Sequence, residues 1–279
     1  MEKFNICLVK PDNYIHAHAF LELGELIYYS LQELGAEANI GFNKIDPSYK
    51  NIIIGCHLLP PELIPKLPDP TVILNTEQIY TDPSPWNDTI LSWVKKFEVW
   101  DYSARNIENF KKLGIEDVKH FKIGFQKELV RLNQFKEKDI DVLFYGSINE
   151  RRKSVLDQLM KSGLKVKTLF GVYGKERDEW IERSKLVLNL HFYETEIFEI
   201  IRVFYLMTNS VAIVGEVNAT TSIDEMYSNG ILATKYNDLA NTCLTLAKNQ
   251  PLQESIREAA LNSISQYPQK IFTKAVISS

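Results

Sequence analysis

The chain has 279 residues, of which 45% are hydrophobic and 24% charged, with a formal net charge of -4. This length suits two domains that each bury a core, and the composition excludes a disordered or fibrous protein. The negative net charge disfavours stable nucleic-acid binding through phosphates. Because no apolar run reaches the ~20 residues of a membrane span, and the N-terminus does not resemble a signal peptide, we expect a cytoplasmic protein.

Short apolar runs alternate with amphipathic segments through the first half of the chain. Residues 20–34 have helical spacing and end at Gly35, a typical helix stop, and residues 105–113 repeat this pattern. Strands separated by helices indicate a parallel sheet. The strands are predicted at residues 4–9, 37–42, 51–56, 71–75, 97–102 and 118–123.

A dense mixed-charge segment then interrupts the apolar pattern, which is typical of a solvated linker. We predict domains at residues 1–126 and 140–267, a linker at residues 127–139, and a C-terminal segment, residues 268–279, able to pack back on the first domain. The second half repeats the alternation, so we predict an α/β protein of two Rossmann-like domains with a cleft between them. Its predicted strands occupy residues 142–145, 165–170, 186–190 and 211–214. Its predicted helices occupy residues 151–162, 175–184, 197–207, 238–247 and 252–265.

Ligands of open parallel sheets bind beyond the carboxyl ends of the strands. Gly146 and Ser147 follow the first strand of the second half, where backbone N–H groups can approach a phosphate. Arg151 and Arg152 begin the next helix and add positive charge. The sequence is neither GxGxxG nor a Walker motif, and an ordinary turn with solvated basic residues is the alternative.

A second polar group separates the strand at residues 186–190 from an apolar helix. Glu199 and Arg202 are three residues apart and can share a helix face, although their neighbours are apolar. The alternative for Glu194 and Glu196 is that they are solvated acidic residues at a helix start, where the helix dipole favours them. The group consists of His191, Tyr193, Glu194, Glu196, Glu199 and Arg202.

Four stretches resemble the donor-binding domain of GT-B glycosyltransferases, in particular the bacterial group 1 family: DIDVLFYGSINERR, FGVYGKERD, LVLNLHFYETEIFEIIRVFYLMTNSVAIVGE and SNGILATKYNDLANTCLTL. The resemblance implies GT-B architecture and a nucleotide sugar bound between two Rossmann-like domains. It also implies that Glu199, in a Phe-Glu pair, binds the ribose. The family's E-x7-E pair has its first glutamate at the position of His191 here, whereas Glu194 lies eight residues before Arg202.

The resulting prediction is a metal-independent glycosyltransferase. Its donor residues are Gly146, Ser147, Arg151, Arg152, Tyr193, Glu196, Glu199 and Arg202, with the first four near the diphosphate. His191 with Glu194 or Glu196 would face the sugar. The partners are a nucleotide sugar and an unidentified acceptor, which is a glycan, lipid-linked sugar, protein or small molecule.

His16 and His18 follow the first strand and are candidate general bases, because a neutral imidazole can accept a proton. Simple polar residues at a helix start are the alternative. Glu77 and Asp101 are further strand-end candidates.

We expect no metal and no cofactor. Asp139 and Asp141 form a DxD, but they precede a strand and so lie at the amino end of the sheet. The five histidines lack HxxxH or HExxH spacing, and the three cysteines lack CxxC spacing. The tryptophans at positions 86, 93 and 100 are seven apart, which predicts core or interface packing around a helix more than base stacking. A non-catalytic nucleotide or carbohydrate binding protein, and less so a sugar-nucleotide epimerase, are the alternative functions.

Overall fold

The computed structural model describes residues 2–82, 86–133, 137–193 and 197–278. The chain forms two compact units, a first unit of Met1–Ile123 with Pro268–Ser279 and a second unit of Gly124–Tyr267. Each unit is an α/β domain built on a parallel sheet, so the predicted fold class of two Rossmann-like domains is confirmed. The cleft between them remains a prediction.

The first unit contains a six-stranded sheet with helices α1 (Leu21–Glu33), α2 (Asn87–Val94) and α3 (Ala104–Lys112). Its strands are β1 (Lys3–Leu8), β2 (Glu37–Phe42), β3 (Lys50–Ile54), β4 (Thr71–Asn75), β5 (Glu98–Asp101) and β6 (Val118–His120). Their order in the sheet is β2-β1-β3-β4-β5-β6.

The four inner strands of the first unit, β1, β3, β4 and β5, are buried along most of their length, as is typical of parallel sheets. Ile53 and Ile73 pack with Trp93 and Phe110 in one buried cluster. Ser103 caps α3, because its side chain accepts a hydrogen bond from the Asn106 N–H. The sheet is therefore fixed by its core, and its carboxyl ends remain available to polar groups.

The second unit contains a five-stranded sheet in the order β11-β10-β9-β7-β8. Its strands are β7 (Ile140–Tyr145), β8 (Val166–Leu169), β9 (Ser184–Asn189), β10 (Ile213–Glu216) and β11 (Leu232–Thr234). Its helices are α4 (Glu150–Lys161), α5 (Gly174–Glu182), α6 (Ile200–Thr208), α7 (Glu225–Ser228), α8 (Leu239–Ala247) and α9 (Gln250–Ser265). The core between the sheet, α4 and α8 includes Phe144, Leu159, Leu188 and Cys243.

The last helix, α10 (Gln269–Ile277), belongs to the first unit and packs on α1. The hydroxyls of Ser30 and Thr273 lie 2.8 Å apart in this contact. Phe125 and Tyr267 lie at the two ends of the second unit in the chain, and the Phe125 N–H donates to the Tyr267 carbonyl at 2.8 Å. The chain thus returns to the first unit after completing the second.

Three differences from the predicted elements have local causes. The strand expected to include Cys56 ends at Ile54, because Gly55 has a φ of 93°, although Cys56 is buried as expected. The helix expected from residue 197 begins at Ile200, because Ile197 forms a β-bridge. The sequence pattern does not predict helices α2, α7 and α10 or strand β11.

Two of the three tryptophans lie in the core. Trp93 and Trp100 are fully buried, whereas Trp86 is 45% exposed. Trp86 immediately precedes α2 and packs its ring edge-on against His57, with the ring centroids 5.3 Å apart. Trp100 is in β5, so the spacing of seven does not place the three rings around one helix.

The described part of the predicted linker belongs to the second unit. Leu129 is fully buried, and the Asn209 side-chain oxygen accepts hydrogen bonds from the Arg131 and Leu132 N–H groups at 2.7 and 3.0 Å. These contacts hold the segment against α6. None of the helices in the described ranges combines the length and apolarity needed to cross a bilayer.

Candidate functional site

The second sheet has a topological switch point at β7, which lies between β8 and β9. In open α/β sheets, ligands bind beyond the carboxyl ends of the strands at such a point. Here the chain leaves β7 through Gly146 and Ser147, and it leaves β9 through Leu190 and His191. Polar residues from both segments therefore meet at one edge of the sheet.

Asn149 fixes the start of α4 over these strand ends. Its side-chain oxygen accepts from the Arg152 N–H at 3.0 Å, and its side-chain nitrogen donates to the Phe192 carbonyl at 2.7 Å. The first bond is an N-cap, which satisfies a free N–H of the helix. Together the bonds tie the first turn of α4 to the chain that follows β9.

Arg152 is 4% exposed and lies across the two strand ends. Its Nη1 donates to the Ser147 carbonyl at 2.8 Å and its Nη2 to the Leu190 carbonyl at 2.6 Å. Burial, followed by the charge of Arg202, lowers the pKa of Arg152 to about 10, so it remains protonated at neutral pH. Its Nε has no hydrogen-bond partner among the described residues.

Arg151 is paired with a buried carboxylate. Its guanidinium donates two hydrogen bonds to Glu216, which is fully buried, and a third to the His191 carbonyl at 3.0 Å. It also lies over the Tyr236 ring, 4.0 Å from the centroid. Two hydrogen bonds therefore hold Arg151 on a carboxylate, whereas Arg152 lies 3.7 Å from the nearer Glu199 oxygen.

The buried His191 pairs with the partly exposed Glu199, with His191 Nδ1 3.0 Å from Glu199 Oε2. Burial alone would lower the pKa of His191, but the hydrogen bond and charge of Glu199 outweigh it and raise that pKa. Burial alone would raise the pKa of Glu199, but His191, Arg202 and Arg152 together lower it to about 2. His191 Nε2 has no partner within the described ranges, although the side chain is only 2% exposed.

Asn189 connects Glu199 to a second arginine. Its nitrogen donates to Glu199 Oε2 at 2.9 Å, and its oxygen accepts from Arg202 Nη1 at 2.7 Å. Arg202 also lies over the Tyr145 ring, 5.1 Å from the centroid. Because Glu199 immediately precedes α6 and Arg202 is in its first turn, the helix start places both groups at the strand ends.

Gly146 is surrounded by the two arginines. A Cβ built on Gly146, whose φ is 136°, would lie 3.3 Å from Arg202 Nη2 and 3.5 Å from Arg152 Nη1. The glycine therefore keeps a small space open beside both guanidinium groups. We call Gly146, Arg152, His191, Glu199 and Arg202 the Gly146 cluster. It contains two arginines, one carboxylate and a histidine whose pKa is raised by that carboxylate.

Other candidates from the sequence lie at or beyond the margin of this cluster. Ser147 contributes its carbonyl, and Tyr193 is 60% exposed with its ring against Phe192. Glu194 and Glu196 fall outside the described residues. The cluster therefore combines five of the predicted residues, while Arg151 pairs with Glu216.

His16 and His18 lie in the first unit, in a 3-10 helix that follows β1. His18 Nε2 is 3.0 Å from Lys10 Nζ, and the His16 ring packs edge-on against Tyr14. Their predicted role as bases remains a prediction.

The sequence interpretation missed three residues that support the cluster: Asn149, Asn189 and Glu216. Glu216 and Asn189 are the last residues of β10 and β9. The rule that strand ends face ligands is the signal that points to both residues. Asn149 has the side chain expected of an N-cap.

The described residues contain no group of three or more His, Cys, Asp or Glu placed to hold a metal ion. Asp139 and Asp141, the DxD of the sequence, pair with Arg183 and Lys185 at the amino end of the second sheet. Their carboxylates are therefore engaged far along the strands from the Gly146 cluster.

No family model matches the chain. Uncharacterized protein L140 of Acanthamoeba polyphaga mimivirus is 28% identical over 222 residues, which cover 76% of this chain and 70% of that protein. Uncharacterized protein L137 of the same virus is 25% identical over 242 residues, which cover 80% of this chain. The chain spans only 32% of the length of L137.

Solved structures share the fold at low identity. A mutant of T4 phage BGT in complex with UDP-glucose matches with a TM-score of 0.65 and 11% identity, over 100% of this chain and 99% of that chain. WaaG, a glycosyltransferase involved in lipopolysaccharide biosynthesis, matches with a TM-score of 0.62 and 11% identity, over 98% of both chains. TarM matches with a TM-score of 0.60 and 12% identity, over 92% of this chain and 57% of that chain. The chain therefore has the two-domain α/β fold of GT-B glycosyltransferases.

Proposed function

We propose that the chain is a glycosyltransferase that takes its sugar from a nucleoside diphosphate sugar bound at the Gly146 cluster. The observation that carries the proposal is the pair of guanidinium groups, Arg152 and Arg202, beside the space at Gly146. The buried His191, paired with Glu199, belongs to the same cluster. UDP-glucose, which the T4 phage BGT structure contains, belongs to this class of ligand. The acceptor remains unidentified.

The unsatisfied donors of the cluster support an anionic ligand. His191 Nε2 and Arg152 Nε are buried without a partner in the described part of the chain, and a buried unsatisfied donor costs about 1–3 kcal/mol. Phosphate oxygens would accept from these nitrogens, and guanidinium groups bind phosphate with two parallel hydrogen bonds. A diphosphate over Gly146 would reach Arg152 and Arg202 together.

The same groups supply a mechanism. When the bond between the sugar and the diphosphate breaks, negative charge develops on the diphosphate, and fixed cations stabilise that charge in the transition state. Glu199 would keep His191 protonated and oriented for this role. Since 24% of the Glu199 side chain is exposed, it also retains an oxygen face for a ribose hydroxyl, as the resemblance implies.

Metal independence, the absence of a cofactor and a cytoplasmic location belong to the same proposal. Cationic side chains would provide the charge that the leaving diphosphate requires. His16 or His18 would act as the base if the reaction inverts the anomeric centre.

Calorimetry with UDP and UDP-glucose tests the donor site. Arg202→Gln should weaken UDP binding at least about tenfold, because it removes one charged phosphate donor. Arg183→Gln is the matched control, since Arg183 pairs with Asp139 at the opposite end of the same sheet. Equal UDP affinity in both variants and the wild type would remove Arg202 from the site.

Turnover distinguishes the proposed enzyme from the alternative functions. The wild type should release free nucleotide from at least one sugar derivative of UDP, GDP or ADP, even with water as the acceptor. Tight binding without release would favour a non-catalytic binding protein, and a converted donor sugar would favour an epimerase. Failure to bind any nucleotide of the panel would contradict the proposal.

A further inference from the structure

His191 is held by its backbone as well as by its side chain. Its N–H donates to Glu216 Oε2 at 3.1 Å, and its carbonyl accepts from Arg151 Nη1 at 3.0 Å. Its Nδ1 lies 3.0 Å from Glu199 Oε2. Nε2 is therefore the one polar atom of His191 without a partner among the described residues.

One ion pair supplies both backbone bonds. Arg151 Nη1 also donates to Glu216 Oε2 at 2.8 Å, so this oxygen accepts from the guanidinium and from the His191 N–H together. Arg151 is in the first turn of α4, which follows β7, and Glu216 is the last residue of β10. Because β9 lies between β7 and β10 in the sheet, the chain that leaves β9 is bound from both sides.

The pair is itself supported by the segments that follow β10 and β11. Asn218 Nδ2 donates to Glu216 Oε1 at 3.0 Å, and the Tyr236 hydroxyl donates to the Arg151 carbonyl at 2.8 Å. The Arg151 guanidinium lies 4.0 Å from the centroid of the Tyr236 ring. The side chain of Arg151 is 16% exposed and that of Glu216 is fully buried. These contacts hold both charged groups in one orientation.

Stability alone does not account for such a pair. Taking two charges out of water costs about as much free energy as their attraction returns, and apolar side chains of similar volume often replace a buried ion pair without loss of stability. Apolar side chains could not bind the N–H and the carbonyl of His191, however. The directional bonds to His191 are therefore what Arg151 and Glu216 add to an apolar core.

We infer that Arg151 and Glu216 are a positioning pair, which fixes the backbone of His191 so that its Nε2 remains available to the leaving diphosphate. This inference rests on the proposed function, and it adds two residues that act on the ligand only through His191. It also gives Arg151, which the sequence predicts beside the diphosphate, an indirect role.

A double-mutant cycle tests the inference. Arg151→Met combined with Glu216→Met removes the bonds to His191 but fills the same space, so the melting temperature should stay close to that of the wild type. UDP affinity, measured by calorimetry, should fall about tenfold, and His191→Ala should cause a similar loss. Because the pair acts through His191, all three substitutions together should also cause a loss of about tenfold, and not the roughly hundredfold loss of independent contacts.

Two further variants provide a conservative change and a matched control. Glu216→Gln should keep UDP affinity within about threefold of the wild type, because its amide oxygen can still accept from the His191 N–H. Asp141→Asn removes another carboxylate of the same sheet, one that pairs with Lys185 at the amino end. It should leave UDP affinity unchanged in both the wild-type and the His191→Ala backgrounds.

Each other outcome identifies what fails. Wild-type UDP affinity in the folded Met variant, together with weaker binding in His191→Ala, would overturn this inference and leave the donor site intact. A roughly hundredfold loss for the three substitutions would also overturn it, because Arg151 would then bind the ligand independently of His191. Unchanged affinity in His191→Ala would overturn it as well.

A variant that keeps the charge covers the case in which the Met variant does not fold. Arg151→Lys cannot form the planar fork that reaches both Glu216 and the His191 carbonyl. Its loss of UDP affinity should disappear in the His191→Ala background, and a loss that persists there would refute the positioning role. Failure of the wild type to bind any nucleotide would contradict the proposed function, and this inference with it.

Discussion

The two sheets carry polar clusters of opposite character at their carboxyl ends. In the second unit, the Gly146 cluster contains two arginines and a histidine, a gap beside a glycine and two buried nitrogens without a partner in the described ranges. In the first unit, the Asp101 carboxylate is fully buried and accepts hydrogen bonds from Asn75, Ser103 and Asn106. The carboxyl ends of the strands therefore hold the proposed ligand site in one unit and an internally satisfied structural group in the other.

We call Asn75, Asp101, Ser103 and Asn106 the Asp101 hub. Asn75 and Asn106 each donate to the Glu77 carbonyl at 2.8 Å, and the Asn106 oxygen accepts from the Ile79 N–H at 2.9 Å. The hub thus holds the chain that leaves β4. Burial raises the pKa of Asp101 to about 7, although the three donors oppose this shift.

The largest expected effect tests the structural character of the hub. Asp101→Ala should lower the free energy of unfolding by about 3 kcal/mol or more, because three donors lose their acceptor in the interior. Chemical denaturation measures this loss. UDP affinity should remain unchanged at a temperature where the variant is folded, and a parallel loss of UDP binding would break the comparison.

Asp101→Asn examines the proton held by the hub. Because the folded pKa of Asp101 is raised to about 7 and the unfolded value is about 3.9, only the folded chain keeps the proton between these values. The free energy of unfolding from this group should therefore fall as the pH rises from about 4 to about 7. The variant should lack this decline, and an identical pH profile in both proteins would contradict the assignment.

The next effect concerns the space beside Gly146. Gly146→Ala should weaken UDP binding about 30-fold, roughly 2 kcal/mol, because the added methyl group crowds Arg152 and Arg202. Gly163→Ala is the matched control: Gly163 also has a positive φ, but its Cβ would meet no atom within 4 Å. Both variants should lose similar stability, whereas UDP affinity should fall in Gly146→Ala alone.

A smaller effect is expected for the ion pair of His191 and Glu199. Glu199→Gln should lower the free energy of unfolding by about 1.5 kcal/mol, the contribution of a charged hydrogen bond. This loss of stability should depend on pH through two groups, because the pKa of His191 is raised and that of Glu199 is lowered. Urea denaturation across a pH series measures it.

The pH window follows from the two pKa shifts. The Glu199 contribution is complete above its unfolded value of about 4.3 and is lost as the pH falls toward about 2. The His191 contribution is complete below its unfolded value of about 6.5 and is lost as the pH rises through the raised folded value. The difference between wild type and Glu199→Gln should be largest between about pH 4.3 and 6.5, and a constant difference from pH 3 to 9 would refute the pairing.

The smallest effect marks the limit of the Gly146 cluster. Lys153 follows Arg152 in sequence, but its Nζ pairs with Asp157 on the exposed face of α4. Lys153→Met should therefore leave UDP affinity within about twofold and leave the melting temperature unchanged, as is usual for an exposed pair. A large loss of affinity would extend the cationic site beyond the described contacts.

The fold was largely accessible from the sequence because buried parallel strands are short apolar runs with clear ends. The sequence does not predict the ends of an element where a tertiary contact decides them. Ile197, for example, forms a β-bridge with Ser222 and so lies outside α6. Helix α2 was missed because its eight residues offer little periodicity. The GT-B architecture itself came from a resemblance and is supported by the solved structures.

The candidate site was accessible only in part. Gly146, Arg152, His191 and Glu199 follow from the rule that strand ends face ligands, and the structure brings His191 and Glu199, which are eight residues apart, into direct contact. The pairing of Arg151 could not be predicted, because it depends on Glu216, 65 residues away. Adjacent arginines of one helix turn thus acquire different environments that no local pattern distinguishes.

The second unit is inserted in the chain between two segments of the first unit. The hydrogen bond between Phe125 and Tyr267 shows that its two ends are neighbours. A polypeptide of residues 124–267 would have both ends side by side, a geometry suited to separate expression or to cyclisation. Excising that insertion would leave a gap between Ile123 and Pro268 that a short glycine bridge could close. Each unit could thereby be prepared on its own, and its binding of UDP could be measured separately.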